Sequence, residues 1–155
     1  MSRKLKFAPR KQFETLLDWA VMPTFDLVVE CRSQGVIIVK RKIAPYKNQW
    51  ALPGLRQYKG EGFKDTLKRI AKDELGLEIN PSMARILGQY DGFFRTEHQR
   101  QDISTGYHVS VSENQEIRPN LLHFSSFRII KSQEQIPSNI GAMYKFYLQE
   151  YSKSC

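Results

Sequence analysis

The 155-residue sequence predicts a layered α/β fold with a mixed sheet. Three observations carry that prediction. Short β-rich runs bounded by Gly, Pro and Ser turns recur along the chain. One segment with a helical apolar stripe, residues 63 to 75, interrupts them near the middle. Helix-like segments stand at both ends. Strands broken by a central helix bury their faces best as helices layered on a sheet, which argues against an all-α bundle. Neither an internal repeat nor a low-complexity segment is present.

Phe13, Leu16, Leu17 and Ala20 recur at helical spacing, so residues 11 to 20 form a short amphipathic helix. Met22-Pro23-Thr24 is read as its break. Phe25 to Cys31 and Val36 to Arg41 are strand-like and are split by Ser33-Gln34-Gly35, the pattern of a hairpin. In the first run Phe25, Leu27, Val29 and Cys31 alternate with Asp26, Val28 and Glu30. A loop with Pro45 follows, then the brief strand Trp50-Ala51-Leu52, stopped by Pro53-Gly54, and a loop over 55 to 62. Phe63, Leu67, Ile70, Ala71 and Leu75 make one helical stripe, with Gly76 where a C-terminal cap belongs. Residues 84 to 90, 106 to 111 and 124 to 130 are further strands, the first two separated by a polar loop over 95 to 104. Residues 138 to 151 make a closing helix.

The length suits a single domain over 1–155, with 1–22 as a basic arm and short helix. Hydrophobic residues at 41% and charged residues at 26% exclude a disordered chain and a membrane protein, and no apolar run reaches spanning length. Two cysteines, Cys31 and Cys155, are no disulfide framework, and the basic N-terminus lacks the apolar core of a secretory signal. A cytoplasmic protein is expected. Lys+Arg 24 against Asp+Glu 16 gives +8, a balance that favours anionic partners such as a polyphosphate or nucleic acid. Arg3, Lys4, Lys6, Arg10 and Lys11 hold part of that charge locally.

The stretch from Trp50 to Leu77 carries the chemistry: a strand, a glycine-bearing loop and a helix whose last turn holds Asp73 and Glu74. Arg69 and Asp73 are four apart and can pair on one helix face. Glu61 lies in the loop, within reach of that face if the loop folds back. Acids gathered near loop carbonyls can hold Mg²⁺, which prefers oxygen donors and usually shares itself with substrate phosphates.

This stretch resembles the Nudix box, G-x5-E-x7-R-E-U-x-E-E-x-G-U. Counted from Leu55, the matches are Glu61, Arg69, Glu74, Gly76 and Leu77, with Asp73 a conservative replacement, and the preceding Trp-x-Leu-Pro-Gly is also typical of the family. The resemblance implies a Nudix-type α/β/α sandwich, with 55–77 as its loop-helix, and a divalent ion, Mg²⁺ or Mn²⁺. Three positions depart. Leu55 replaces the box glycine, although Gly54 precedes it; Ile70 replaces a glutamate that orients or deprotonates water in many members; and Asp73 replaces a glutamate.

GDP-mannose mannosyl hydrolases are similar in the N-terminal helix, Phe25-Asp26-Leu-Val-Val-Glu30, Lys40-Arg41, Trp50-Ala-Leu-Pro-Gly-Leu-Arg56 and an aliphatic residue at Ile70. That resemblance implies metal binding by Glu74 and the Gly54 carbonyl, with Asp73 in support. It also implies attack on the sugar carbon, with Glu61 and Arg69 among the catalytic residues and Glu61 in support of the metal. Asp26, Arg41 and Arg56 are expected to contact substrate, the two arginines being readable also as surface charges. Their base is a late-loop histidine next to a metal-binding glutamine. Here, aligned on Phe127-Arg128, His123 falls on the glutamine, and a one-residue shift makes it the base, so both roles stay open. Imidazole ligation would tilt selectivity towards Mn²⁺.

His108, Glu113 and Glu116 are weaker candidates, readable as surface groups. The aromatics between Tyr90 and Arg95 suit either base stacking or core packing. Two functions follow. One is a metal-dependent hydrolase of a GDP-mannose-like nucleoside diphosphate sugar or related nucleoside diphosphate derivative, with water attacking either the sugar carbon or phosphorus. The other is a Nudix-fold protein that binds nucleotide or RNA without turnover. The expected partner is a small molecule; nucleic acid ranks below it, a membrane is not expected, and a homodimer is left open.

Overall fold

A computed structural model describes residues 7–96 and 98–155, so Arg3, Lys4 and Lys6 lie outside the described residues. The chain runs α1 (Arg10–Trp19), β1 (Met22–Cys31), β2 (Gly35–Arg41), β3 (Trp50–Ala51), β4 (Gly54–Arg56), α2 (Phe63–Leu75), β5 (Arg85–Phe93), β6 (Gln101–Val111), β7 (Phe124–Ile130) and α3 (Ala142–Lys153). The mixed sheet and the box helix agree with the sequence.

β1 is the organising strand. It pairs in parallel with β6 along its whole length, from Met22↔Asp102 to Cys31↔Val111. Its other edge is divided: Thr24–Asp26 pair with β4, and Glu30–Cys31 pair with β2. β5 extends the sheet beyond β6, while β2 carries β3 and β7.

Neighbouring residues on a strand point to opposite faces, which places the helices. Phe25 and Tyr107 meet edge-to-face at 5.6 Å, and Phe63 of α2 joins Phe25 at 5.5 Å. One step along, Gly106 and Ser104 face α3. The Tyr147 ring lies so close to Gly106 that a Cβ there would sit 2.3 Å from it, and Tyr147 Oη donates to Ser104 Oγ at 2.8 Å. The two helices therefore cover opposite faces.

Five expectations need correction. Met22-Pro23-Thr24 belongs to β1 rather than breaking the chain. β1 does not alternate: Thr24 to Val29 are all buried, because the strand is central and covered on both faces. Residues 54 to 56, expected as loop, pair with β1 as β4. β6 starts at Gln101 inside the expected polar loop, since Asp102 and Ser104 are buried among polar partners that a hydropathy pattern does not show. The last helix starts at Ala142 because residues 139 to 141 are engaged with Trp50 (Trp50 N–H to Asn139 O at 3.0 Å, Gly141 N–H to Trp50 O at 3.1 Å).

α2 matches its expected bounds and ends at Gly76, whose φ of 69° is the left-handed cap conformation. Its buried face is Thr66, Leu67, Ile70, Ala71, Glu74 and Leu75, whereas Phe63 is 60% exposed. Ile70 has no exposure. Replacing it with glutamate buries a carboxylate without a partner, so Ile70→Glu should cost about 3 kcal/mol or more of unfolding free energy in urea titration.

Candidate active site

A cleft of about 250 Å³ opens where β4 and β2 part from the same edge of β1. Its wall includes Asp26, Arg41, Gly54, Arg56, Glu74, Asp102 and His123, with Phe13 of α1 and Phe94 of the β5–β6 loop.

Gly54 follows from strand register. Leu27 N–H donates to Pro53 O and Gln57 N–H to Pro23 O, so Asp26↔Gly54 is a non-hydrogen-bonded pair and the Gly54 carbonyl turns away from β1. Such pairs bring the backbones close. A Cβ on Gly54 would stand 2.1 Å from Asp26 Oδ1, so only glycine fits beside that carboxylate.

Glu61 and Arg69 form a closed unit. Arg69 donates from Nε at 2.5 Å and from Nη2 at 2.9 Å to the Glu61 carboxylate, and Nη2 also reaches Arg56 O at 2.7 Å. The Tyr58 N–H and Thr66 hydroxyl complete the carboxylate's bonds, and the Tyr58 ring lies 3.7 Å from the Arg69 guanidinium. Burial pushes the Glu61 carboxyl up, but these donors together hold it below its ordinary value. Arg69 thus pairs with Glu61 and not with Asp73.

Glu74 is 1% exposed, on the inner side of the last turn of α2. Its Oε1 lies 2.6 Å from His123 Nδ1 and accepts from Asn120 Nδ2 at 3.3 Å. Asn120 also donates its backbone N–H to Glu74 O and receives the His123 N–H on its own carbonyl, so the late loop is tied to the helix end. Burial raises the Glu74 carboxyl, opposed by His123 and Asn120.

Asp26 is 4% exposed and accepts from Ser104 Oγ at 2.5 Å; Ser104 in turn accepts from Tyr147. Burial pushes its carboxyl up to about 7, against the opposing Ser104 bond and Arg41 charge. Asp102 is raised by burial and held by Arg100 Nε at 2.7 Å.

The structure therefore brings together Asp26, Arg41, Gly54, Arg56, Glu74 and His123 around one cleft, with Glu61 and Arg69 braced beside it. Asp73 is exposed and does not line the cleft. Arg41 is buried, and its guanidinium is engaged by the Ile43, Ala44 and Pro45 carbonyls. His108 bonds Glu30 at 2.7 Å away from the cleft, and Glu113 bonds Ser33. Of the Tyr90–Arg95 aromatics, Phe94 lines the cleft and Tyr90 packs on Phe146. Asn120, Ser104 and Asp102 were missed by sequence reasoning; only tertiary contact distinguishes them from ordinary loop residues.

No three His, Cys, Asp or Glu side chains gather as a metal-holding group among the described residues. Asp26 and Asp102 are engaged by Ser104 and Arg100, so what the cleft offers an ion is the Glu74 carboxylate, bonded through Oε1 alone, and the outward Gly54 carbonyl. That sparse oxygen set fits an ion completed by water and substrate phosphates, the usual manner of Mg²⁺.

A family model described as NUDIX domain matches residues 22–137. The chain belongs to the NUDIX domain family. The Low-salt glycan biosynthesis protein Agl8 of Haloferax volcanii is 24% identical over 111 residues, 68% of this chain and 69% of that protein. A MutT NUDIX hydrolase from Burkholderia pseudomallei has TM-score 0.73 at 17% identity, covering 84% of this chain and 98% of that one. The NUDIX domain of Shewanella oneidensis NrtR, solved with ADP ribose, has TM-score 0.70 at 16% identity, covering 95% and 99%. The chain spans 56% of a MutT/nudix family protein from Enterococcus faecalis and 45% of a bifunctional NMN adenylyltransferase/ADP ribose pyrophosphatase from Francisella tularensis. Among the described residues no helix of this NUDIX chain is long and apolar enough to cross a membrane.

Asp26 gives the NUDIX cleft a pH dependence. Its folded carboxyl titrates near 7 against 3.8 in the unfolded chain, so between those values the folded state binds the extra proton. Stability then falls as pH rises through that window, by about 4 kcal/mol for this group alone. Asp26→Asn should remove most of that decline. Urea unfolding of both proteins at pH 4.5 and pH 8 in chelator checks it: an equal drop in the two would refute the assignment.

Proposed function

We propose that this NUDIX chain is a divalent-metal-dependent hydrolase of a nucleoside diphosphate derivative, with nucleoside diphosphate sugars as its substrate class. The observation that carries the reading is the buried Glu74 joined to His123 on the wall of a cleft that also holds Arg56. ADP ribose on the Shewanella domain and the glycan biosynthesis role named for the Haloferax relative point to the same chemistry of substrate.

Mg²⁺ or Mn²⁺, when bound, neutralises the charge of the departing diphosphate. Glu74 Oε2 and the Gly54 carbonyl would hold it. Ile70 lies in the core, so the acid that the box usually places there is missing, and a proton acceptor must come from elsewhere. With Nδ1–H directed at Glu74, His123 keeps an Nε2 lone pair for the proton of water, the tautomer that a carboxylate partner selects. Water then bonds to the sugar carbon, the carbon–oxygen bond to the diphosphate breaks, and the nucleoside diphosphate leaves. Arg56 suits the diphosphate because its planar fork binds two oxygens. Arg41 positions the 43–45 loop that borders the cleft.

A second reading, nucleotide binding without turnover, draws on Ile70 and on the exposure of Asp73. A nucleoside diphosphate sugar panel with Mg²⁺ or Mn²⁺ separates the two. Release of free sugar supports hydrolysis, while tight binding with no product supports the second reading. In ¹⁸O-water, label in the sugar marks carbon attack and label in phosphate marks phosphorus attack.

Glu74→Gln keeps the shape but removes the charge, so metal affinity by calorimetry and turnover should fall together while the circular dichroism spectrum persists. His123→Gln should slow turnover by about a hundredfold or more if Nε2 is the base. Persistent turnover with a changed metal preference would instead make His123 a ligand.

A further inference from the structure

α1 precedes the matched segment 22–137, yet it forms part of the cleft. None of its residues is fully buried, and Phe13 and Leu17 are only half-buried, so hydrophobic packing holds it weakly. Its attachments are specific. The Arg56 guanidinium lies 4.3 Å from the centre of the Phe13 ring and 4.9 Å from that of Tyr58, two aromatic surfaces for one cation. Phe7 meets Tyr58 edge-on at 4.8 Å. At the other end of the helix Asp18 Oδ1 lies 2.9 Å from His98 Nδ1, in the loop that also supplies Phe94 and Arg100 to the cleft. The helix thus straps β4 to the β5–β6 loop beside the mouth.

We infer that α1 is a working wall of the site, and that Phe13 is a positioning residue that sets the Arg56 guanidinium for the diphosphate. The inference rests on the role given to Arg56 under Proposed function. A guanidinium on a flexible side chain loses rotamer freedom when it binds; one already stacked on aromatic rings has lost much of it in advance. Cation–π contact with Phe13 and Tyr58 supplies the attraction through the ring faces and does not use up the N–H groups that a diphosphate would need. The Asp18–His98 pair is exposed on the Asp side and contributes little energy; it shows where the helix end meets the β5–β6 loop.

The test uses the full chain with Phe13→Ala and Phe13→Tyr. Phenylglyoxal modification of Arg56, followed by peptide mass spectrometry, reads the guanidinium directly and needs no ligand. Arg56 should react at least threefold faster in Phe13→Ala and at the wild-type rate in Phe13→Tyr. Calorimetry with GDP and ADP, each with Mg²⁺, should show affinity at least fivefold weaker for Phe13→Ala and restored by Phe13→Tyr. The unfolding midpoint should change little, since Phe13 is only half-buried and no residue of α1 is fully buried. Unchanged Arg56 reactivity in Phe13→Ala overturns the inference, as does faster reaction with undiminished affinity. If wild-type protein neither binds nor hydrolyses any nucleoside diphosphate compound, the proposed function falls and the diphosphate role of Phe13 falls with it. The reactivity result still decides whether α1 sets Arg56.

Discussion

The site depends on the division of one strand edge. β1 runs beside β6 for ten residues without interruption, but its opposite edge is shared by β4 at one end and β2 at the other. A strand continuous on both edges would leave no opening. Here the two partners diverge, and the gap between them becomes the cleft. The same division puts Gly54 opposite Asp26 in a close, non-hydrogen-bonded pair, which frees the glycine carbonyl and forbids a side chain. The glycine position, the carboxylate beside it and the opening are one constraint.

Polar burial is concentrated around that opening. Among the described residues the buried polar or charged side chains are Thr24, Asp26, Arg41, Thr66, Glu74, Asp102 and Ser104, and five of these seven line the cleft. The other two support it: Ser104 donates to Asp26, and Thr66 donates to Glu61. Burying such groups is unfavourable unless each finds a partner, and each carboxylate here has one. Arg69 Nη1 is the buried side-chain atom left without a partner among the described residues. The rest of the core is aliphatic and aromatic, so the chain spends its buried polarity in one place.

Two carboxylates, Glu61 beside the cleft and Asp26 on its wall, are managed differently. Glu61 takes four donated bonds and stays ionised, serving to lock the loop onto α2. Asp26 has one close hydroxyl donor and deep burial, which leaves its proton balanced near neutrality. The difference comes from the number of donors that each environment supplies and from the deeper burial of Asp26.

The sequence by itself determined the family, the α2 bounds, β7 and the hairpin, and it singled out Glu61, Arg69 and Glu74 by box spacing and Asp26, Arg41, Gly54, Arg56 and His123 by resemblance. These are readable because helical periodicity, glycine caps and fixed box spacing are local properties of the chain. The Ile70 core position was equally legible, since an aliphatic residue on the apolar stripe has one place to go. Tertiary structure alone decided the rest. β4 and the start of β6 carry no hydropathy pattern of their own and are strands because β1 offers edges to pair with. Asp73 and Glu74 are adjacent, yet a 100° turn of helix sends one to solvent and the other to His123. Asn120 and Phe13 acquire their roles from groups 46 and 43 residues away, Glu74 and Arg56. Pattern along a chain shows which side of an element a residue occupies; what lies on that side is set by how distant segments meet.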